Sequence, residues 1–246
     1  MWPLSAYRDF KKKREQDAKA RERSKVIDRL NRSIDEDNIH MQGSAICDLC
    51  RFAKDADMPG IAAGFVDKIE AKQGLKAAIH ISIYLMNCMD SKEVQSAVAE
   101  KTFLLTAKVD RADEKEMAGV AMAANLIAFN ADEGSDQRER GMALWREAVG
   151  TLSKTRLGVD FAFAAASNAA LGGLNHRGIL PHPLRGEAID IWYKNVTELA
   201  KIDIAAATEE AKRIAQNYTD DGIWGPTAKP FTAKATEALR KFSLGN

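Results

Sequence analysis

The sequence predicts an all-α fold, and three observations carry that expectation. Only six prolines and sixteen glycines occur in 246 residues, and β-branched runs are scarce, so the turn and strand chemistry of a sheet protein is missing. Apolar residues recur at helical spacing along almost the whole chain, with short punctuation between the runs. One helical pattern is written twice: Trp145, Val149, Leu152 and Lys154 reappear at a constant offset as Trp192, Val196, Leu199 and Lys201. With 46% hydrophobic and 29% charged residues the chain can bury a substantial core, as one elongated domain or two small ones.

The first helix is expected over residues 3–32, with Trp2, Leu4, Tyr7 and Phe10 at its start and Val26, Ile27 and Leu30 at its end. Its middle, 11–23, has almost no apolar face. A helix that is polar all round projects into solvent or lies against a partner, so this segment reads as a basic arm anchored at either end. Helices over 44–56 and 61–73 follow, punctuated by Met58-Pro59-Gly60 and Gly74. Residues 75–89 are apolar on most faces, which predicts a central helix. Asp90 with Glu93 makes a capping box for 91–108, and Asp110 is a cap for 111–130. Ser135 caps 136–153, the first Trp helix. The small apolar stretch 156–171 permits close helix approach, and Pro183 suits the first turn of the second Trp helix, 183–201. Helices over 203–218 and 232–244 complete the set.

Paired helices joined by short loops predict stacked αα-hairpins, as an α-solenoid or an irregular bundle. One pair cannot bury its own apolar face, so neighbours must stack. The domain expectation is a basic N-terminal arm, 1–35, followed by an all-helical repeat-like domain, 36–246.

Leu171-Gly172, Gly178, Ala188 and Trp192-Tyr193 resemble the Sel-one-like branch of tetratricopeptide repeats, with Leu126, Gly134, Ala143 and Trp145 in the preceding unit. That resemblance spans residues of both Trp helices and implies stacked hairpins whose surfaces bind protein partners. A second resemblance belongs to another class. Asp160-Phe161, Asn168-Ala169-Ala170-Leu171 and the stretch from Gly178 to Pro183 are similar to the core of coat proteins of flexible filamentous plant viruses. It implies an RNA-encapsidating coat protein or nucleoprotein, with Arg156, Arg177 and Arg185 on phosphates.

The net charge of +1 conceals an asymmetry, since residues 1–32 hold eleven Lys/Arg against five acids. Lys11, Lys12, Lys13, Arg14, Arg21 and Arg23 are therefore the candidate partner contacts. Cys47-Asp48-Leu49-Cys50 falls inside a helical pattern and not at a strand-to-helix junction, so a thioredoxin-like role is disfavoured. Zinc would need two further ligands from Cys88, His40 and His80, and two buried small hydrophobes is the expectation. His176 and His182 share a loop with Arg177 and pair with nothing at metal-ligand spacing. No nucleophile elbow, phosphate loop, zincin motif or dinucleotide fingerprint occurs, so no catalytic residue, cofactor or metal is expected.

The longest apolar run, 77–89, is too short to span a bilayer, and no export signal is read in the first thirty residues. Three cysteines make an odd count, which disfavours a disulfide framework and predicts a reducing compartment such as the cytoplasm. The functional expectation is a non-enzymatic interaction or assembly scaffold subunit.

Overall fold

The computed structural model describes residues 4–154, Ala166, 183–217 and 225–244. Among them are ten α-helices, one 3-10 turn and no strand, which establishes the all-α class. Apart from Ala166, the expected helix over 156–171 and the loop that follows it lie outside the described residues. The chain divides into two compact units, Met1–Lys101 and Thr102–Asn246, with the division inside a helix. The first helix, α1 (Leu4–Asp35), buries Val26, Leu30, Ser33 and Ile34 in its C-terminal half.

In the first unit, α1 packs on α2 (Ile39–Leu49) and α3 (Met58–Gln73), while α4 (Leu75–Cys88) packs on α2 and α3. α2 begins five residues before the sequence expectation, because the Asn38 side chain accepts a hydrogen bond from the Met41 N–H at 3.0 Å and caps it. A 3-10 turn, Cys50–Phe52, ends this helix early. α3 holds the end of α1 by polar contacts: Lys68 Nζ donates to Asn31 Oδ1 at 3.0 Å and Gln73 Nε2 donates to the Ile34 carbonyl at 3.2 Å. α4 is buried along Ala78, Ile79, Ile81, Ser82, Ile83, Leu85 and Met86, the central placement its composition predicts. At the start of α5 (Lys92–Thr106) Ser91 Oγ accepts from the Val94 N–H, and the Gln95 amide donates to the Met86 and Met89 carbonyls that α4 leaves open at its C-terminus.

In the second unit α6 (Glu114–Asn130) and α7 (Asp136–Leu152) form an antiparallel hairpin. Asp113 caps α6 through the Lys115 and Glu116 N–H groups, and Asp110 instead closes a turn onto the Ala112 N–H. Gly141 is where the two helices touch most closely: a Cβ there would sit 2.9 Å from the Ala128 nitrogen. Arg138 Nε donates to the Ala128 carbonyl at 3.0 Å and closes the C-terminus of α6. α8 (Arg185–Ala200), α9 (Ile204–Asn217) and α10 (Gly225–Leu244) pack mutually as a three-helix group. α10 starts before Pro226 and runs through Pro230, well ahead of the expected residue 232, and the burial of Ala228 and Phe231 holds that first part in place.

The duplicated pattern maps onto matching core faces. Gly141, Trp145 and Val149 of α7 are buried, as are Ala188, Trp192 and Val196 at the corresponding positions of α8. α7 and α8 are linked by Arg146 to Glu187 and by Asn195 Nδ2 donating to Ser153 Oγ at 2.8 Å.

Candidate functional site

The basic residues of α1 separate into two groups. Lys19 pairs with Asp55 at 2.6 Å, Arg23 with Asp55 and Asp57, and Arg29 with Asp48. Arg51 returns the pattern from the 3-10 turn to Glu22 of α1 at 2.9 Å. These contacts dock α1 on α2, the 3-10 turn and the loop before α3. They explain why Asp57, at the N-cap of α3, makes no side-chain cap: its carboxylate is held by Arg23. Asp48 is held below the usual carboxylate range, chiefly by the hydrogen bond from Arg29.

Lys11, Lys12, Lys13, Arg14 and Arg21 behave differently. Their side chains are exposed, and none forms an ion pair among the described residues. At the helical advance of about 100° per residue, Arg14 and Arg21 fall with Phe10 on the side of α1 opposite Lys19 and Arg23. Phe10 is 50% exposed, with the Arg14 guanidinium 5.9 Å from its ring centroid. Five of the six expected contacts are therefore exposed, Arg14 and Arg21 on the side away from the anchor and Lys11, Lys12 and Lys13 distributed round the helix ahead of it, and Arg23 belongs to the internal anchor. The separation follows from the aspartates at 48, 55 and 57, which sequence inspection leaves unassigned because they lie in other elements.

Of the three arginines expected on phosphate, Arg156 and Arg177 lie outside the described residues. Arg185 opens α8 and is half-buried, and burial pushes its guanidinium pKa down. It is not one of the exposed bases of α1.

A groove of about 670 Å³ lies between α7 and α8, and Ser153 is the hydroxyl on its wall. Ser153 donates to the Val149 carbonyl at 2.8 Å and accepts from Asn195, so its hydrogen-bond partners among the described residues are structural.

The cysteines overturn the expectation of buried small hydrophobes. Cys47 is exposed, and Cys50 and Cys88 are half-buried. Cys88, the last residue of α4, interacts electrostatically with Cys47 and Cys50 at the end of α2. Hydrogen bonding from Cys50 is the main cause that lowers the Cys88 thiol to about 6, against burial, which opposes it. The same bond, with burial, holds the Cys50 thiol far above the usual range, and burial raises Cys47. The spacing of Cys47 and Cys50 is visible in sequence, whereas Cys88 reaches them only through the α2–α4 contact. Among the described residues no group of three His, Cys, Asp or Glu side chains could hold a metal ion. None of the helices there is long and apolar enough to cross a membrane.

The chain matches no protein-family model, no curated protein and no solved structure.

Proposed function

We propose that this protein is a non-enzymatic interaction subunit, in which a body of helical hairpins presents the N-terminal part of α1 as a basic docking helix for an acidic protein surface. The observation that carries this reading is the contrast within one helix. Lys19, Arg23 and Arg29 are neutralised internally, while Lys11, Lys12, Lys13, Arg14 and Arg21 are exposed without an ion-pair partner among the described residues. An unneutralised positive surface steers association with an oppositely charged one. The half-exposed Phe10 beside Arg14 adds the aromatic and arginine chemistry of protein interfaces. Glu15, Asp17 and Glu22 are interleaved with the bases and would repel a polyphosphate backbone, which favours a protein partner over RNA. The resemblance to tetratricopeptide-like hairpins points the same way.

The test is affinity purification from source cells of the wild type and of the combined variant Lys11→Glu, Lys12→Glu, Lys13→Glu, Arg14→Glu, both first shown to have the same helical circular dichroism. The expected result is one acidic protein that accompanies the wild type, is lost with the variant, and rebinds when both components are pure. Recovery of RNA with the wild type, seen as a raised 260/280 nm absorbance ratio that the variant loses, would replace this reading with the coat-protein one.

A further inference from the structure

The groove between α7 and α8 is built from one face of each helix. α7 contributes Arg146 and Gly150, four residues apart, and α8 contributes Ile191, Asn195 and Leu199 at the same spacing. Ile202, just past the end of α8, continues the apolar wall and is 82% exposed. Gly150 has nothing within 4 Å of an added Cβ, so the floor stays open where a side chain would stand. At 1.5 Å per residue the stripe from Ile191 to Leu199 is about 12 Å long, a little over two helical turns. We propose that this groove docks an acidic amphipathic helix of a partner protein, whose apolar stripe covers Ile191, Leu199 and Ile202 and whose carboxylates reach Lys154 and Lys194.

The charge balance of the groove selects the sign of the partner. Arg146 is paired with Glu187 at 2.8 Å, and the one acid on the lining, Glu198, is paired with Lys201 at 2.7 Å. Lys154 and Lys194 also line the groove, are exposed and form no ion pair among the described residues. Two uncompensated cations therefore stand beside the apolar wall. A helix with acids flanking its apolar stripe is attracted there, whereas one flanked by lysines is repelled.

The shape selects a helix over a small amphiphile. A small ligand is held by enclosing most of its surface, but Gly150, Lys194 and Ile202 are all exposed and leave this groove open along its length. Arg146 meets Glu187 and Ser153 meets Asn195, so α7 and α8 run in the same direction with their faces in register. The furrow between two such helices accepts the side-chain ridge of a third. Its volume of about 670 Å³ takes the apolar side chains at i, i+3, i+4 and i+7 of that helix and leaves its polar face in solvent. The groove belongs to the second unit, so this docking site does not depend on the reading of α1.

Fluorescence anisotropy at physiological salt tests the proposal with the full-length protein and a labelled peptide of about 18 residues, carrying leucines at i, i+3, i+4 and i+7 on an alanine and glutamate background. One control peptide replaces the glutamates with lysines, and a second scrambles the leucine positions. The glutamate peptide is expected to bind the wild type at least about tenfold more tightly than either control. The double variant Lys154→Glu, Lys194→Glu should lose at least about tenfold for the glutamate peptide and gain affinity for the lysine peptide, a reversal that misfolding does not produce. Gly150→Leu, whose side chain has room to enter the groove, should weaken binding at unchanged helical circular dichroism. Reversing residues 11–14 to glutamate should leave the peptide affinity unchanged. No binding of the glutamate peptide, equal binding of the scrambled one, or affinity that follows residues 11–14 and not Lys154, Lys194 and Gly150 would overturn the proposal.

Discussion

The Trp192 indole meets the Phe231 ring edge-on, with centroids 4.9 Å apart and planes at 90°, and its Nε1–H donates to Glu210 Oε1 at 2.9 Å. Trp145, its counterpart in the duplicated pattern, is equally buried, but its Nε1 has no hydrogen-bond partner among the described residues. The repeat thus keeps the packing role and changes the polar one. Trp192→Phe loses a hydrogen bond to a carboxylate as well as volume, whereas Trp145→Phe loses volume and an unpaired donor. Urea unfolding is expected to show Trp192→Phe less stable than Trp145→Phe by about 1–2 kcal/mol. Both lie in one unit, so the two variants can be compared directly.

Two glycines of α7 should respond with opposite signs. An alanine Cβ at Gly141 would meet the backbone of Ala128 at 2.9 Å, so α6 and α7 must move apart. Gly150 is exposed, with nothing within 4 Å of an added Cβ. Gly141→Ala is expected to cost about 1–3 kcal/mol by overpacking. Gly150→Ala is expected to stabilise by up to about 1 kcal/mol through helix propensity. Thermal melts of the two variants check the contrast.

The two kinds of arginine on α1 can be told apart by stability alone. Arg23 joins α1 to Asp55 and Asp57, and its side chain is 23% exposed. Among the described residues the Arg14 guanidinium meets the Phe10 ring of its own helix, 5.9 Å from the centroid. Arg23→Ala is expected to lower stability by about 1 kcal/mol, because the pairing is partly screened. Arg14→Ala should leave the denaturation midpoint unchanged.

The thiol cluster fixes a pH dependence. With Cys88 lowered to about 6, its thiolate is populated above that pH and lost below it, in contrast to an ordinary thiol at 9.0. Iodoacetamide alkylation of Cys88, followed by mass spectrometry from pH 4.5 to 9.5, is expected to reach half its plateau rate near pH 6. Cys50→Ala removes the main donor, so the midpoint should rise; a midpoint unmoved by that change would leave the hydrogen bond without its assigned effect.

Much of this architecture is legible in the sequence because helix periodicity is local. Val26, Ile27 and Leu30 mark the anchored end of α1, and Ser135 marks the start of α7, where its hydroxyl accepts from the Arg138 N–H. Legibility fails where two local signals compete. Asp110 and Asp113 are both plausible caps, and it is Asp113 whose carboxylate accepts from the Lys115 and Glu116 N–H groups. Pro230 argues for a helix start after it, but burial of Ala228 and Phe231 outweighs the missing N–H. The candidate sites were least legible, because the aspartates that neutralise Arg23 and the cysteine that completes the thiol cluster are distant in the chain.

The central claim is that the exposed bases of α1 at 11–14 and 21 dock a partner and the ion-paired ones hold the fold. Its most direct test is the equilibrium affinity of the purified partner for the wild type, for the variant with residues 11–14 reversed to glutamate, and for Arg23→Ala, each at low and physiological salt. The expected result is a loss of at least about tenfold for the reversed variant, larger at low salt, with little change for Arg23→Ala. Equal affinity of the wild type and the reversed variant would contradict it.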